Sequence, residues 1–376
     1  MRRRGSGMAE RGKMGYGTSG EQRAVDVLVV GLGPGGAAAA GRAAAGGASV
    51  LAIERKKRIG EPVQCAEFIP APLGRWAQDE GVLRQHIEGM KSFLPSGACE
   101  QSPFPGLMVD RAHFDRALAR RAREAGAEIL TGVRLTGLDA CARTAVLGLA
   151  GGASATVAYR VLIAADGPHS PVAHLAGLPA LPVVHTRQYT VELLQPYADT
   201  DIWLSDEYPG GYGWLFPKGP VANLGIGADR HFEDDLKAPL DRLHARLAAR
   251  GLVGREILSR TGGAIPVGGM RASLVVESVL FVGDAAGLTH PITGAGIAAA
   301  VESGECAGRA AARFARTAEE AVLSGYDEDM RDQYGVTLER AAARRRDLER
   351  HWRTPSARED GTMRRGWIAF PEYFAR

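Results

Sequence analysis

Residues 24–55 read AVDVLVVGLGPGGAAAAGRAAAGGASVLAIER. Val25, Val27, Val29 and Val30 mark a buried strand, and Gly31-x-Gly33-x-x-Gly36 follows it at once. An alanine-rich helix comes next. In such a unit the first glycine permits the tight turn. The second lets the backbone approach a pyrophosphate, and the third lets the helix pack close to the strand. The helix N-terminus turns unpaired N–H groups toward the phosphates. A second strand, SVLAIE, ends on Glu54, 18 residues after Gly36. That spacing suits a carboxylate that binds ribose hydroxyls. Strand, turn, helix, strand and acid together predict a dinucleotide site. The carboxylate disfavours a 2′-phosphate, so NAD or FAD is expected there rather than NADP.

The chain has 376 residues, 45% hydrophobic and 24% charged, which suits a globular protein of roughly two to three domain units. It holds no uninterrupted apolar run of about 18 residues, so no membrane-spanning helix is expected. The net charge of +3 is uneven. Residues 1–23 carry six Lys/Arg against two Asp/Glu, and residues 336–376 carry ten Arg against six Asp/Glu. The body between them is therefore acidic, which argues against a nucleic-acid binder with a basic face. The basic ends read as solvated tails or as contacts to an anionic membrane surface. Residues 1–23 are polar and glycine-rich and lack the apolar core of a secretory signal. A disordered basic tail and a cytoplasmic protein, with membrane association as an option, are expected. Cys65, Cys99, Cys141 and Cys306 show no C-x-x-C spacing, so free thiols and no metal site are expected.

Three later segments bear on which dinucleotide is bound. Residues 109–135 carry Phe114, Leu118, Ala122 and Ala125 at helical spacing, ended by Gly126. In RVLIAADGPHSPVAHLAG (160–177) a buried strand runs into Asp166-Gly167, a turn that sets a carboxylate beside phosphate or ribose. In SVLFVGDAAGLTHPITGAGIAAAVESG (278–304) a strand ends at Gly283-Asp284, and Gly294-Ala295-Gly296 opens another helix. A second helix N-terminus suits the negative charge that a reduced flavin carries. Asp284 suits the ribityl chain. His290 is left without a role.

These segments resemble the FAD-binding fold of the p-hydroxybenzoate hydroxylase-like flavoproteins and, within it, the geranylgeranyl reductase family. The resemblance runs from Ala24 to about Ala311 and includes EPVQCAEFIP (61–70) and GYGWLFPKGPVANLGIG (211–227). It implies an α/β protein: a Rossmann-like FAD-binding domain, an inserted mixed β-sheet substrate domain and a C-terminal helical segment. The expected divisions are 24–179 with an active-site loop and cap segment at 61–105, then 180–268, 269–315 and 316–376. The cofactor implied is FAD, held by Gly31, Gly33, Gly36, Glu54, Arg55, Arg111, Val133, Asp166, Asp284, Gly294, Ala295 and Gly296.

The activity implied is reduction of isolated C=C bonds in an isoprenoid chain. A hydride from flavin N5 goes to one alkene carbon and a proton to the other, in a dry site. Cys65 and Glu67 are the candidate catalytic residues. Cys65 would donate or relay the proton, and Glu67 would be the acid or would orient the loop through backbone N–H groups. By residue type alone they also read as a packed cysteine beside a solvated glutamate. Tyr212, Trp214 and Phe216 share one strand face. Tyr212, Trp214 and Phe68 are taken as substrate contacts, Phe216 as packing, and Lys218 as a turn charge. The electron donor implied is NAD(P)H or a ferredoxin-like carrier.

The chain departs from the family pattern. Cys65-Ala66-Glu67-Phe68 stands where Cys-Gly-Glu-Gly is usual, and Ala295 replaces a glycine. The competing reading is an FAD-dependent monooxygenase of the same fold. A non-enzymatic lipid carrier is a third.

Overall fold

The computed structural model describes residues 23–375. Residues 1–22, which hold nearly all of the expected tail, lie outside the described residues, and Arg23 already belongs to the first strand.

The apolar run Val25–Val30 forms the strand Arg23–Val30, and the strand Val50–Glu54 lies parallel to it. On the other side Arg23–Val30 pairs in parallel with the end of Ser154–Ala164, which in turn pairs with Val279–Phe281. Glu128–Thr131 extends the sheet beyond Val50–Glu54. The antiparallel strands Arg134–Asp139 and Thr144–Gly148, with Val275–Val276 at the far edge, complete an eight-stranded mixed sheet. These central strands are buried almost throughout, as strands covered on both faces must be.

The helices Pro34–Ala45 and Ile297–Thr317 pack against this sheet. Pro34–Ala45 lies between Arg111–Glu124 and Ile297–Thr317. Its contact with Ile297–Thr317 is close because both surfaces are made of small residues. A Cβ on Gly304 would lie 2.1 Å from the Gly35 carbonyl oxygen, and one on Gly308 would lie 2.5 Å from that of Ala39. Larger side chains would push the helices, and the loops that begin them, apart. Arg111–Glu124 buries Phe114, Leu118 and Ala122, the face expected from its periodicity.

The second sheet has nine strands in the order Val253–Thr261, Val183–Leu193, Val221–Ala228, Gly213–Lys218, Asp199–Trp203, Leu83–Phe93, Cys99–Val109 and Phe68–Pro70, with Ala264–Pro266 beside Val183–Leu193. Its pairs are antiparallel except Asp199–Trp203 with Leu83–Phe93. One face buries Tyr189, Leu215, Leu224 and Ile226 against the helix Lys237–Ala249. The other buries Met90, Ile202 and Trp214 against Met363, Trp367 and Phe370 near the C-terminus.

The sheet draws on more of the chain than residues 180–268. The hairpin Leu83–Phe93/Cys99–Val109, expected to be a cap segment, supplies two full strands. Each of its strands begins exposed and its second strand carries Pro103 and Pro105, so it shows neither the alternation nor the composition of a strand. The C-terminal region folds as the 29-residue helix Ala321–Glu349 followed by the short helices Asp360–Gly366 and Pro371–Phe374.

Candidate active site

The phosphate-facing turn is shaped by where side chains are absent. Gly31 has φ +96°, and a Cβ there would lie 2.4 Å from the Ala165 carbonyl oxygen. At Gly36 a Cβ would lie 1.9 Å from the Gly31 carbonyl oxygen. Gly33, the residue before the helix, is different: a Cβ there would meet nothing within 4 Å. The protein leaves that space open at the end of a helix where N–H groups point outward, which is the room a pyrophosphate requires.

Glu54 closes the turn. Its carboxylate accepts from Leu32 N at 3.0 Å and from Lys56 N at 2.9 Å. Val133 N donates to the Glu54 main-chain carbonyl at 3.0 Å, and Arg55, next in the chain, is exposed. Asp166 is held by Ser170 Oγ at 2.7 Å and Val172 N at 2.8 Å. Burial pushes its carboxyl up, against those hydrogen bonds.

The second loop meets the first. A Cβ on Gly35 would lie 2.9 Å from the Ala300 carbonyl oxygen, so the helices beginning after Gly33 and Gly296 converge. Gly294 has φ +68°, Gly296 precedes Ile297–Thr317, and Ala295 lies between them. Asp284 accepts from Thr289 Oγ1 at 2.5 Å. Burial raises its carboxyl, opposed by that bond and by the Arg111 charge. His290 closes the loop on itself: its Nδ1 accepts from Ile292 N at 3.3 Å and Thr293 N at 3.2 Å. Burial lowers this imidazole to about 4, so it is neutral at pH 7.

Cys65, Glu67, Arg111, Tyr212 and Asp284 come together where the two sheets meet. The half-buried Cys65 lies near the Arg111 guanidinium. Burial works against that guanidinium, but Asp115 and Cys65 outweigh it and push its pKa up. Arg111 is braced by Asp115 through bonds of 3.1–3.2 Å. Burial raises the Tyr212 phenol, with Cys65 adding to the effect, and the phenol donates to the Thr293 carbonyl at 2.5 Å. Tyr212 thus ties the aromatic strand to the Gly294–Gly296 loop.

Glu67 is neither solvated nor free. Its backbone has φ +71° and its side chain is 4% exposed. Oε1 accepts from Arg111 N at 2.9 Å, and Oε2 accepts from Lys218 Nζ at 2.6 Å and Asn223 Nδ2 at 2.8 Å. Lys218 is therefore an ion-pair partner inside the site rather than the turn charge expected. Its position was legible: it follows Trp214 and Phe216 at period two on their strand face. The rest of the loop is also held by the second sheet. Thr261 Oγ1 donates to the Val63 carbonyl at 2.6 Å, Gln188 Nε2 to that of Cys65 at 3.2 Å, and Asn223 Nδ2 to that of Ala66 at 3.2 Å. Gln188 also accepts from Trp214 Nε1 at 3.2 Å.

Phe68 stacks on Phe104 at 5.7 Å and meets Phe216 edge-on at 6.0 Å. Phe216 joins this aromatic wall, and Phe104 is a member the sequence reading omitted. Tyr212 meets Trp214 at 5.8 Å and Trp367 at 4.9 Å. Trp367 comes from the C-terminal segment, where no motif pointed to it.

A dinucleotide turn, a second helix start closing on it, and an aromatic sheet across the junction define a two-domain flavoprotein. Two family models agree with this architecture: an FAD binding domain matches residues 84–208 and a lycopene cyclase protein model matches residues 233–364. The digeranylgeranylglycerophospholipid reductase of Methanocella arvoryzae is 35% identical over 340 residues, covering 84% of this chain and 85% of its own. That of Methanocaldococcus jannaschii is 34% identical, covering 82% and 83%. The chain belongs to the geranylgeranyl reductase family and is an FAD-dependent oxidoreductase. Among solved structures, a geranylgeranyl bacteriochlorophyll reductase-like protein from Thermoplasma acidophilum superimposes with a TM-score of 0.81 at 27% identity, over 88% of each chain. A flavin-dependent halogenase shares the fold at 17% identity and a TM-score of 0.70, over 90% of this chain and 67% of its own.

Proposed function

We propose that this protein reduces isolated C=C bonds in the isoprenoid chains of a prenyl lipid, of the digeranylgeranylglycerophospholipid kind. The observation that carries the reading is the match to reductases of that name across most of both chains. The aromatic wall of Phe68, Phe104, Tyr212, Trp214 and Phe216 supports it, because an isoprenoid offers apolar surface and no polar handle.

Bound FAD, once reduced, would supply a hydride, the electron pair together with its hydrogen, to one alkene carbon. The turn at Gly33, Glu54 and the loop at Asp284 and Gly294–Gly296 would hold it, with Asp166 bracing the strand end behind the turn. Arg111 and Tyr212 lie on the side toward Cys65. The Cys65 thiol gives its proton to the second carbon. The thiolate left behind is stabilised by the Arg111 guanidinium and by the Glu67 N–H, which donates to Cys65 Sγ at 3.2 Å. The sulfur regains a proton from solvent after product leaves. With both oxygens of its carboxylate engaged, Glu67 orients the loop and is not the acid. Such a substrate resides in a bilayer, so the reading includes contact with a membrane surface. Among the described residues no helix is long and apolar enough to cross one.

The test is anaerobic. Purified protein is checked for bound flavin, reduced with dithionite and mixed with a geranylgeranyl lipid. Flavin reoxidation with a mass gain of two hydrogens per double bond is expected. Turnover only in air, with one oxygen added, would replace the reading with a monooxygenase. Repeating the assay with NAD(P)H and with a reduced ferredoxin-like carrier identifies the donor.

A further inference from the structure

We propose that Lys218 and Asn223 are positioning residues for Cys65, acting through the carboxylate of Glu67. The proposal rests on the reading of Cys65 as the proton donor. One backbone N–H meets the Cys65 sulfur and one guanidinium lies near it, and a single carboxylate sets both. The first is the backbone N–H of Glu67, 3.2 Å from Sγ. It is aimed there by the left-handed conformation of Glu67, φ +71°, which a non-glycine residue adopts only when its surroundings hold it. The second is the guanidinium of Arg111, whose backbone N is fixed by Glu67 Oε1 at 2.9 Å.

What holds the carboxylate comes from the second sheet. Lys218 Nζ lies 2.6 Å and Asn223 Nδ2 2.8 Å from Oε2. Asn223 also donates to the Ala66 carbonyl. The two residues belong to neighbouring strands in which Lys218 pairs with Val221 and Phe216 with Asn223. They reach Glu67 from the strands that carry the aromatic wall. The Lys218 side chain is 17% exposed and that of Glu67 4%. Removing the lysine charge leaves a buried carboxylate without its counter-ion. The loop relieves this by turning Glu67 toward water, and both donors then leave the sulfur. Phe68 follows Glu67 directly, so the clamp also sets the ring that stacks on Phe104. The lysine–carboxylate pair thus couples the substrate wall to the reactive thiol.

The test uses full-length, FAD-loaded protein and follows Cys65 alkylation by iodoacetamide with peptide mass spectrometry, which separates it from Cys99, Cys141 and Cys306. Lys218→Met is expected to slow Cys65 alkylation by at least about five-fold, because the thiolate is the nucleophile and loses its partners. It is also expected to lower kcat more than it raises KM. Lys218→Arg restores both, which a general loss of stability would not do. An alkylation rate within about two-fold of the native protein, or a faster one, overturns the proposal. Should Lys218→Met fail to fold, Asn223→Ser keeps the ion pair and removes one donor. A slowing of about two- to five-fold supports the proposal, and a native rate in Asn223→Ser overturns it. Cys65→Ser separates the two ideas. If it reduces alkene at the native rate, Cys65 leaves the mechanism while the alkylation result on the clamp stands.

Discussion

In the first sheet the groups proposed to hold the cofactor include backbone N–H groups at two helix starts, placed by glycines at the ends of parallel strands. In the second sheet the working groups are side chains: Lys218, Asn223, Gln188, Tyr212 and Trp214 reach across a surface to hold one loop and build one wall. Helix-end N–H groups bind a pyrophosphate regardless of neighbouring side chains, so that half is tolerant of what surrounds it but intolerant of any added Cβ that intrudes. The second half depends on particular side-chain partners. Lys218 and Glu67 are 151 residues apart in the chain.

The largest effect is expected where the glycine turn is filled. Gly36→Val places a side chain 1.9 Å from the Gly31 carbonyl. The helix cannot then lie on its strand, and expression is expected to yield insoluble or colourless protein. A folded yellow variant would break the claim that close packing sets this half. Next comes Trp367→Ala in the second half. This ring is 3% exposed and lies against Tyr212. Its loss is expected to cost about 3–5 kcal/mol in urea unfolding, with FAD still bound, since Trp367 reaches the Gly294–Gly296 loop only through Tyr212. Loss of flavin before loss of fold would show that the halves are not separable.

Gly33→Ala sharpens the comparison from the other side. The added methyl meets no protein atom within 4 Å, so the unfolding free energy of the apoprotein should hardly move. FAD affinity measured by flavin fluorescence is expected to fall roughly 100-fold, or about 2.7 kcal/mol. Equal losses in stability and affinity would refute the open-space reading.

The smallest effect is the pH response of the flavin loop. His290 titrates at about 4 in the folded protein, below the 6.5 of a free histidine. Between those values the unfolded chain binds the extra proton, so stability rises with pH there. It is full above about 6.5 and is lost as pH falls toward 4. A tenfold change in proton affinity is worth about 1.4 kcal/mol, and water still reaches part of the ring, so the loss is on the order of 1–2 kcal/mol. His290→Asn should flatten this part of the melting-temperature profile; an unchanged slope would point to other groups.

The two halves were also unequally legible. The turn, its helix and Glu54 could be read directly because residues 24–55 carry all their own signals, and the loop at 283–297 repeats the same logic. The hairpin 83–109 could not, since both strands begin exposed, the second bears prolines, and the first is recruited by pairing with a strand over 100 residues away. Phe104 and Trp367 were missed for the same reason: a ring becomes part of a wall only when the wall is assembled. Lys218 carried a local signal in its period-two spacing, but its partner Glu67 carried none.

By itself, the sequence determined the nucleotide-binding unit, since strand period, glycine spacing and the acid all lie within one turn-helix-strand unit and act through the backbone. It also supplied Cys65 and Glu67 as a pair in a loop. Only the tertiary structure decided what that pair is. The carboxylate is buried among Arg111, Lys218 and Asn223, and the sulfur lies beside a guanidinium. A buried charge takes its character from the partners that satisfy it, and those partners come from two separate parts of the chain, both distant from Glu67.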